Sequence, residues 1–113
     1  MRIGVKGRHF PVDDDVRERV ERKAEKIARQ VSPLAQLEVE LIEERNPQIR
    51  EAHVAEGTLY LKGVTLRACE RAETMGQAIN LMADDLARQV KRHREKRRGR
   101  RKGAKAEPGT APS

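Results

Sequence analysis

Basic side chains at helical spacing carry the chemistry that this sequence has to offer. Arg19, Arg22, Lys23, Lys26 and Arg29 recur through one stretch, and Arg88, Lys91, Arg92 and Lys96 through another. Projected at about 100° per residue, the first five fall within about a third of a helix circumference. Glu18, Glu21 and Glu25 gather on a different face. The first stretch alone suits a solvated face with i,i+4 ion pairs equally well. The second tips the balance, because its four bases share a flank beside an apolar stripe and run on into "REKRRGRRKG". Between Arg88 and Lys102 ten Lys or Arg residues meet one acid, Glu95, for a local charge of +9 in a chain of +7. Two basic flanks on neighbouring helices are the electrostatic footprint of a phosphate-backbone binder.

Other chemistries find no support in the spacing. His9, His53 and His93 lie in different elements, with no Cys or His pair at metal-ligand separation. Asp13-Asp14-Asp15 reads as a helix cap with acids at the positive end of the helix dipole. Cys69 reads as an inert packing residue in a strand. There is no nucleophile–base pair, phosphate-binding Gly loop or pair of buried carboxylates. The expectation is a non-enzyme with no metal, no cofactor and no small-molecule substrate.

The elements that must position these cations follow from periodicity. Ile3 and Val5 mark a first strand ending at Gly7. Val16, Val20, Ala24, Ile27 and Val31 form one stripe of an amphipathic helix, N-capped by Asp13 and stopped by Ser32-Pro33. Leu37, Val39 and Leu41 alternate with acids in "QLEVELIEE", a half-buried strand. "AHVAEGTLYL" and "VTLRACER" give two more, joined by a tight turn at Lys62-Gly63. Met75, Ile79, Met82, Leu86 and Val90 then line a second helix. The predicted fold is α+β in the order β-α-β-β-β-α, a four-stranded sheet with two helices packed on one face. It shares the α-β-β-β-α order of a double-stranded-RNA-binding fold.

Length allows one domain of residues 1–97. Residues 98–113 read as a disordered tail, basic and then Gly/Pro/Ala-rich, since "RGRRKGAKAEPGTAPS" has no apolar residue larger than Ala. Only Phe10 and Tyr60 are aromatic, so the core must be aliphatic. The single cysteine excludes an internal disulfide and fits a reducing compartment. No apolar run approaches about 18 residues, and no signal peptide opens the chain, so the expected location is the cytoplasm. A membrane-surface helix would need bulky apolar groups that the tail lacks. Neither aromatic interleaves with the bases, so RNA should be held by phosphate and shape rather than by base stacking.

Residues 55–96, "AEGTLYLKGVTLRACERAETMGQAINLMADDLARQVKRHREK", resemble the ribosome hibernation promoting factor family, also called ribosome-associated inhibitor or protein Y. The family pattern joins a hairpin A-E-x-T-L-x-L-x-G-x-x-L-R-A to a helix D-M-Y-x-A-I-D-x-x-x-D-K-L-x-R-Q. "IGVKGRHFPVDDDVRERVERKAEKI" is similar to the family's first strand and helix, with Gly7, Asp13, Lys23 and Lys26 at matching places. The resemblance covers residues 1 to about 97. It implies a partner, the small ribosomal subunit and its ribosomal RNA. There the family fills the channel between head and body, covers the messenger and transfer-RNA sites, and blocks initiation in idle ribosomes. It also implies RNA contacts from Lys23, Lys26, Arg88, Lys91, Arg92 and Lys96. Arg19, Arg22 and Arg29 are added by the helical projection alone.

The sequence departs from the pattern at four places. Gly76 replaces the usual Tyr, and Asp85 stands where Lys is common. Gly57 interrupts a strand, which suggests a bulge. The sequence also stops at Ser113 before any counterpart of the second, ribosome-pairing domain of the family's long form, as expected of either a short form or a cut-down long form. The free protein is expected to be a monomer. Two rival readings are a double-stranded-RNA-binding module outside the ribosome and a docking peptide formed by the Arg-rich tail alone.

Overall fold

A computed structural model describes the backbone of residues 1–106 and the side chains of residues 1–97. The order is β1 (Arg2–Arg8), α1 (Asp14–Ala28), β2 (Gln36–Glu43), β3 (His53–Leu61), β4 (Val64–Ala72) and α2 (Met75–Ala106). The strands form one sheet in the order β1-β2-β3-β4. β1 runs parallel to β2, as the intervening helix requires. The β2–β3 and β3–β4 pairs are antiparallel. This is the predicted α+β architecture.

Local chemistry explains the boundaries. Asp13 caps α1, its Oδ1 accepting from the Val16 amide at 2.9 Å. Thr74 caps α2, its Oγ1 accepting from the Gln77 amide at 3.2 Å. Gly63 takes φ +82 in the β3–β4 turn, a backbone region open to glycine without strain. α1 closes at Ala28, earlier than the Val31 stripe suggests. The Gln30 amide donates to the Ile27 carbonyl at 2.9 Å, tightening the last turn, while Val31 still packs against the core.

The helices cover one face of the sheet. α2 lies across β3 and β4, and α1 packs beside it. Val20, Ala24 and Ile27 of α1 are buried, as are Met75, Ile79, Met82, Leu86 and Val90 of α2. They meet Leu37, Val39 and Leu41 of β2 and Leu59 of β3. Burying a large aliphatic side chain of this kind contributes about 1.5–3 kcal/mol.

Gly57 corrects one expectation. The ladder runs unbroken through Val39↔Gly57 and Gly57↔Ala68, so there is no bulge. A Cβ on Gly57 would stand 2.6 Å from Met82 Sδ and 2.8 Å from Leu86 Cδ1. The missing side chain lets α2 settle onto the sheet. Cys69 corrects another. It is exposed on the open face of β4 rather than packed, its Sγ 3.8 Å from Glu56 Oε2. Desolvation against its strand neighbours, followed by the Glu56 carboxylate, pushes its thiol pKa up. The break expected at residue 97 is absent from the backbone, since α2 continues to Ala106. Residues 107–113 of the expected tail lie outside the described residues.

Candidate nucleic-acid interface

The basic face of α1 is turned partly toward α2. Arg19 lies over the first turn of α2, where a Cβ on Gly76 would approach its Nη1 to 3.1 Å. The Arg19 guanidinium therefore lies against the space that a side chain at position 76 would fill. Two turns further on, Lys26 forms an ion pair with Asp84. Beyond that, Arg94 Nη1 donates to Gln30 Oε1 at 3.2 Å. These three contacts trace a seam in which α1 and α2 run alongside each other. Lys23 falls within it and is half-buried. Arg22 and Arg29 project further out and are exposed, with Arg29 held 3.6 Å from Glu25.

On α2 the four expected bases separate onto two sides. Asp84 faces α1, and Lys91, seven residues on, shares that side. Asp85 faces β4, beside Glu70 and Gln89. Gln89 Nε2 donates to the Arg67 carbonyl at 2.7 Å and to Asp85 Oδ1 at 3.3 Å. Arg88 leans toward Asp85 at 3.9 Å. Arg92 lies seven residues from Asp85, and Lys96 continues the Arg88–Arg92 row at i+4. The single shared flank of the projection is thus a ridge with two slopes. Arg88, Lys91, Arg92 and Lys96 are all exposed.

Ion pairing sorts these cations into two groups. Lys26, Arg29 and Arg88 each have a carboxylate within 4.0 Å. Among the described residues Arg19, Arg22, Lys23, Lys91, Arg92 and Lys96 form no ion pair. Of these, Arg22, Lys91, Arg92 and Lys96 face solvent and can meet phosphates without first breaking an internal contact. Arg94 is the basic residue that the projection passed over. Its signal lay in the second helix, where it shares the α1-facing side with Gly76 and Ala87.

A carboxylate pair lies under the β4 slope. Burial beneath α2, and then Asp85 as hydrogen-bond acceptor and like charge, raise the pKa of Glu70. His53 sits apart from the cations, its Nδ1 donating to the Glu73 carbonyl at 3.1 Å and its ring edge-on to Phe10. No helix among the described residues is long and apolar enough to cross a membrane.

Comparison with known proteins agrees with this architecture. Residues 3–98 match the family described as Sigma 54 modulation protein / S30EA ribosomal protein. The chain belongs to that family. Among curated relatives of this S30EA-type chain, the ribosome hibernation promoting factor of Azotobacter vinelandii is 30% identical over 112 residues, covering 99% of this chain and 100% of that one. The ribosome hibernation promotion factor of Picosynechococcus sp. is 31% identical over 102 residues. That alignment takes in 89% of this chain but 53% of the relative, so the chain spans about half of that longer protein. The crystal structure of the Thermus thermophilus Protein Y N-terminal domain superposes with a TM-score of 0.71 at 28% identity, covering 82% of this chain and 99% of that one. A ribosomal subunit interface protein from Coxiella burnetii shares the fold, with a TM-score of 0.67 at 17% identity.

Proposed function

We propose that this protein is a cytoplasmic ribosome hibernation factor, monomeric when free, that docks its two-helix face on the RNA of the small ribosomal subunit. In this reading it fills the decoding channel, covers the messenger and transfer-RNA sites and inhibits translation during stress or stationary phase. One observation carries the proposal. Arg22, Lys91, Arg92 and Lys96 are exposed and without an ion pair among the described residues, on a helical face opposite the open side of the sheet. The names of full-length relatives such as that from Azotobacter vinelandii point the same way.

A double-stranded-RNA-binding module outside the ribosome would want a basic start to its last helix. Residues 74–87 hold Asp84 and Asp85 and no base. Gradient sedimentation of stationary-phase extract tests the proposal. The protein should travel with small subunits and whole ribosomes, and chemical probing should show protection in the decoding channel. Protection confined to the large subunit would overturn it. Log affinity should fall steeply with log salt, by roughly 0.7 to 0.9 for each phosphate met.

A further inference from the structure

A second surface lies beyond the C-terminal end of α1, next to the cations assigned to RNA above but lined by none of them. Where α2 passes the β3–β4 turn, a hollow of about 560 Å³ opens between that turn, the α1–β2 connection and α2. Its apolar wall is formed by Val31, Leu34, Leu61 and Val90. Leu34 is 92% exposed, the most solvent-exposed large apolar side chain of the described residues. Lys62, Arg94 and Arg97 also line the hollow, and no Asp or Glu does.

We propose that this hollow docks an acidic protein segment carrying a bulky apolar side chain, beyond and independently of the RNA contacts proposed above. Charge complementarity sets the sign of the occupant, because three cations ring an apolar floor with no acid among them. The apolar wall argues against RNA, whose phosphates would meet the cations and leave Val31, Leu34, Leu61 and Val90 uncovered. Gln30 spends its amide on the Lys26 carbonyl and the Arg94 guanidinium. Ser32 Oγ accepts from the Leu34 amide at 3.0 Å. Base edges would find these partners already engaged, whereas an aliphatic or aromatic anchor needs none. Tyr60 borders the hollow, but alternation with the inward Leu59 and Leu61 turns its ring to the opposite sheet face. An exposed leucine beside a concave apolar floor is the arrangement that receives an anchoring side chain, with the cations as its polar rim.

The test is selection of short random peptides displayed on yeast, using the intact protein as bait. Leu34→Asp and Lys62→Glu serve as separate baits; both positions are exposed, so each variant should keep the fold, as circular dichroism will check. Enriched peptides should combine Asp or Glu with Leu, Ile or Phe, and either variant should weaken them by about tenfold or more. Both variants should still sediment with ribosomes as the parent does, which separates this site from the RNA face. The proposal is overturned if no such peptides are enriched, or if they bind Leu34→Asp as tightly as the parent. It is equally overturned if a short single-stranded RNA displaces them and shifts the Leu34, Leu61 and Val90 amide resonances.

Discussion

Lys26 of α1 pairs with Asp84 of α2, 58 residues away, rather than with an acid of its own helix. The contact bridges the two helices at the centre of the basic seam, and it neutralises one of the cations that the family pattern assigns to RNA. Both partners are close to half exposed, so the pair is worth only about 0–1 kcal/mol to stability.

Asp84→Asn should therefore leave the melting temperature nearly unchanged while releasing Lys26. Small-subunit affinity should rise at low salt, and the slope of log affinity against log salt should steepen by roughly one phosphate contact. Titrated co-sedimentation at several salt concentrations measures both. Weaker binding by Asp84→Asn would mean that Asp84 holds Lys26 in its docking position.

Gly57 offers a test of packing. An added Cβ would overlap Met82 Sδ and Leu86 Cδ1 and must push both back to ordinary contact distance. Overpacking of this kind costs about 1–3 kcal/mol. Gly57→Ala should lower the denaturation midpoint accordingly in urea, with the slope of the transition unchanged. If it stabilises the protein instead, α2 is not seated as tightly as described.

These two relationships mark the limit of what the sequence discloses. Val20, Ala24 and Ile27, like Ile79, Met82 and Leu86, announce their helices because a buried stripe must recur at the helical period. The cations on the outer faces are legible for the same reason. Contacts between elements are not periodic. The pairing of Lys26 with Asp84, the layering of Arg19 on Gly76 and the reach of Arg94 to Gln30 depend on how two helices lie side by side. A projection of either helix alone contains none of that. Gly57 shows as a missing side chain in a strand, but what occupies the space belongs to α2. Cys69 is a different case. The alternation of Leu66 and Ala68 with Arg67 and Arg71 already placed it on the outer face, and its residue type outweighed that signal.

Glu70 carries a pH dependence. Its folded pKa is raised, by burial first and by Asp85 second, so the native state binds this proton more tightly than the unfolded chain does. Stability from this group is present below the ordinary glutamate range and is lost as pH rises through the folded value. At neutral pH the ionised Glu70 faces Asp85 as a like charge. Glu70→Gln should raise the melting temperature at neutral pH, and the advantage should vanish in acid, where Glu70 is protonated. A gain that persists unchanged in acid would place its cause elsewhere.

The sorting of cations by their acid partners gives the sharpest test of the RNA face. Arg22, Lys91 and Arg92 are exposed with no ion pair among the described residues, whereas Lys26, Arg29 and Arg88 each lie beside a carboxylate. Changing either triple to Gln removes the same formal charge. The unpaired set gives up charge that is free to meet phosphate. The paired set gives up charge already offset by Asp84, Glu25 and Asp85, which then remain as bare anions near the docking face. Surface substitutions of this kind usually shift stability by about 0.5 kcal/mol or less, so both triples should stay folded by circular dichroism. In translation assays against titrated protein, the unpaired triple should abolish inhibition, since three direct contacts are lost together. The paired triple should weaken inhibition, and high salt should recover part of the gap by screening the bared carboxylates. Deleting residues 99–113 should slow association and lower affinity moderately, with inhibition retained at higher concentration. If the deletion eliminates inhibition while the unpaired triple does not, the charged C-terminal segment rather than the two-helix face is what holds the ribosome.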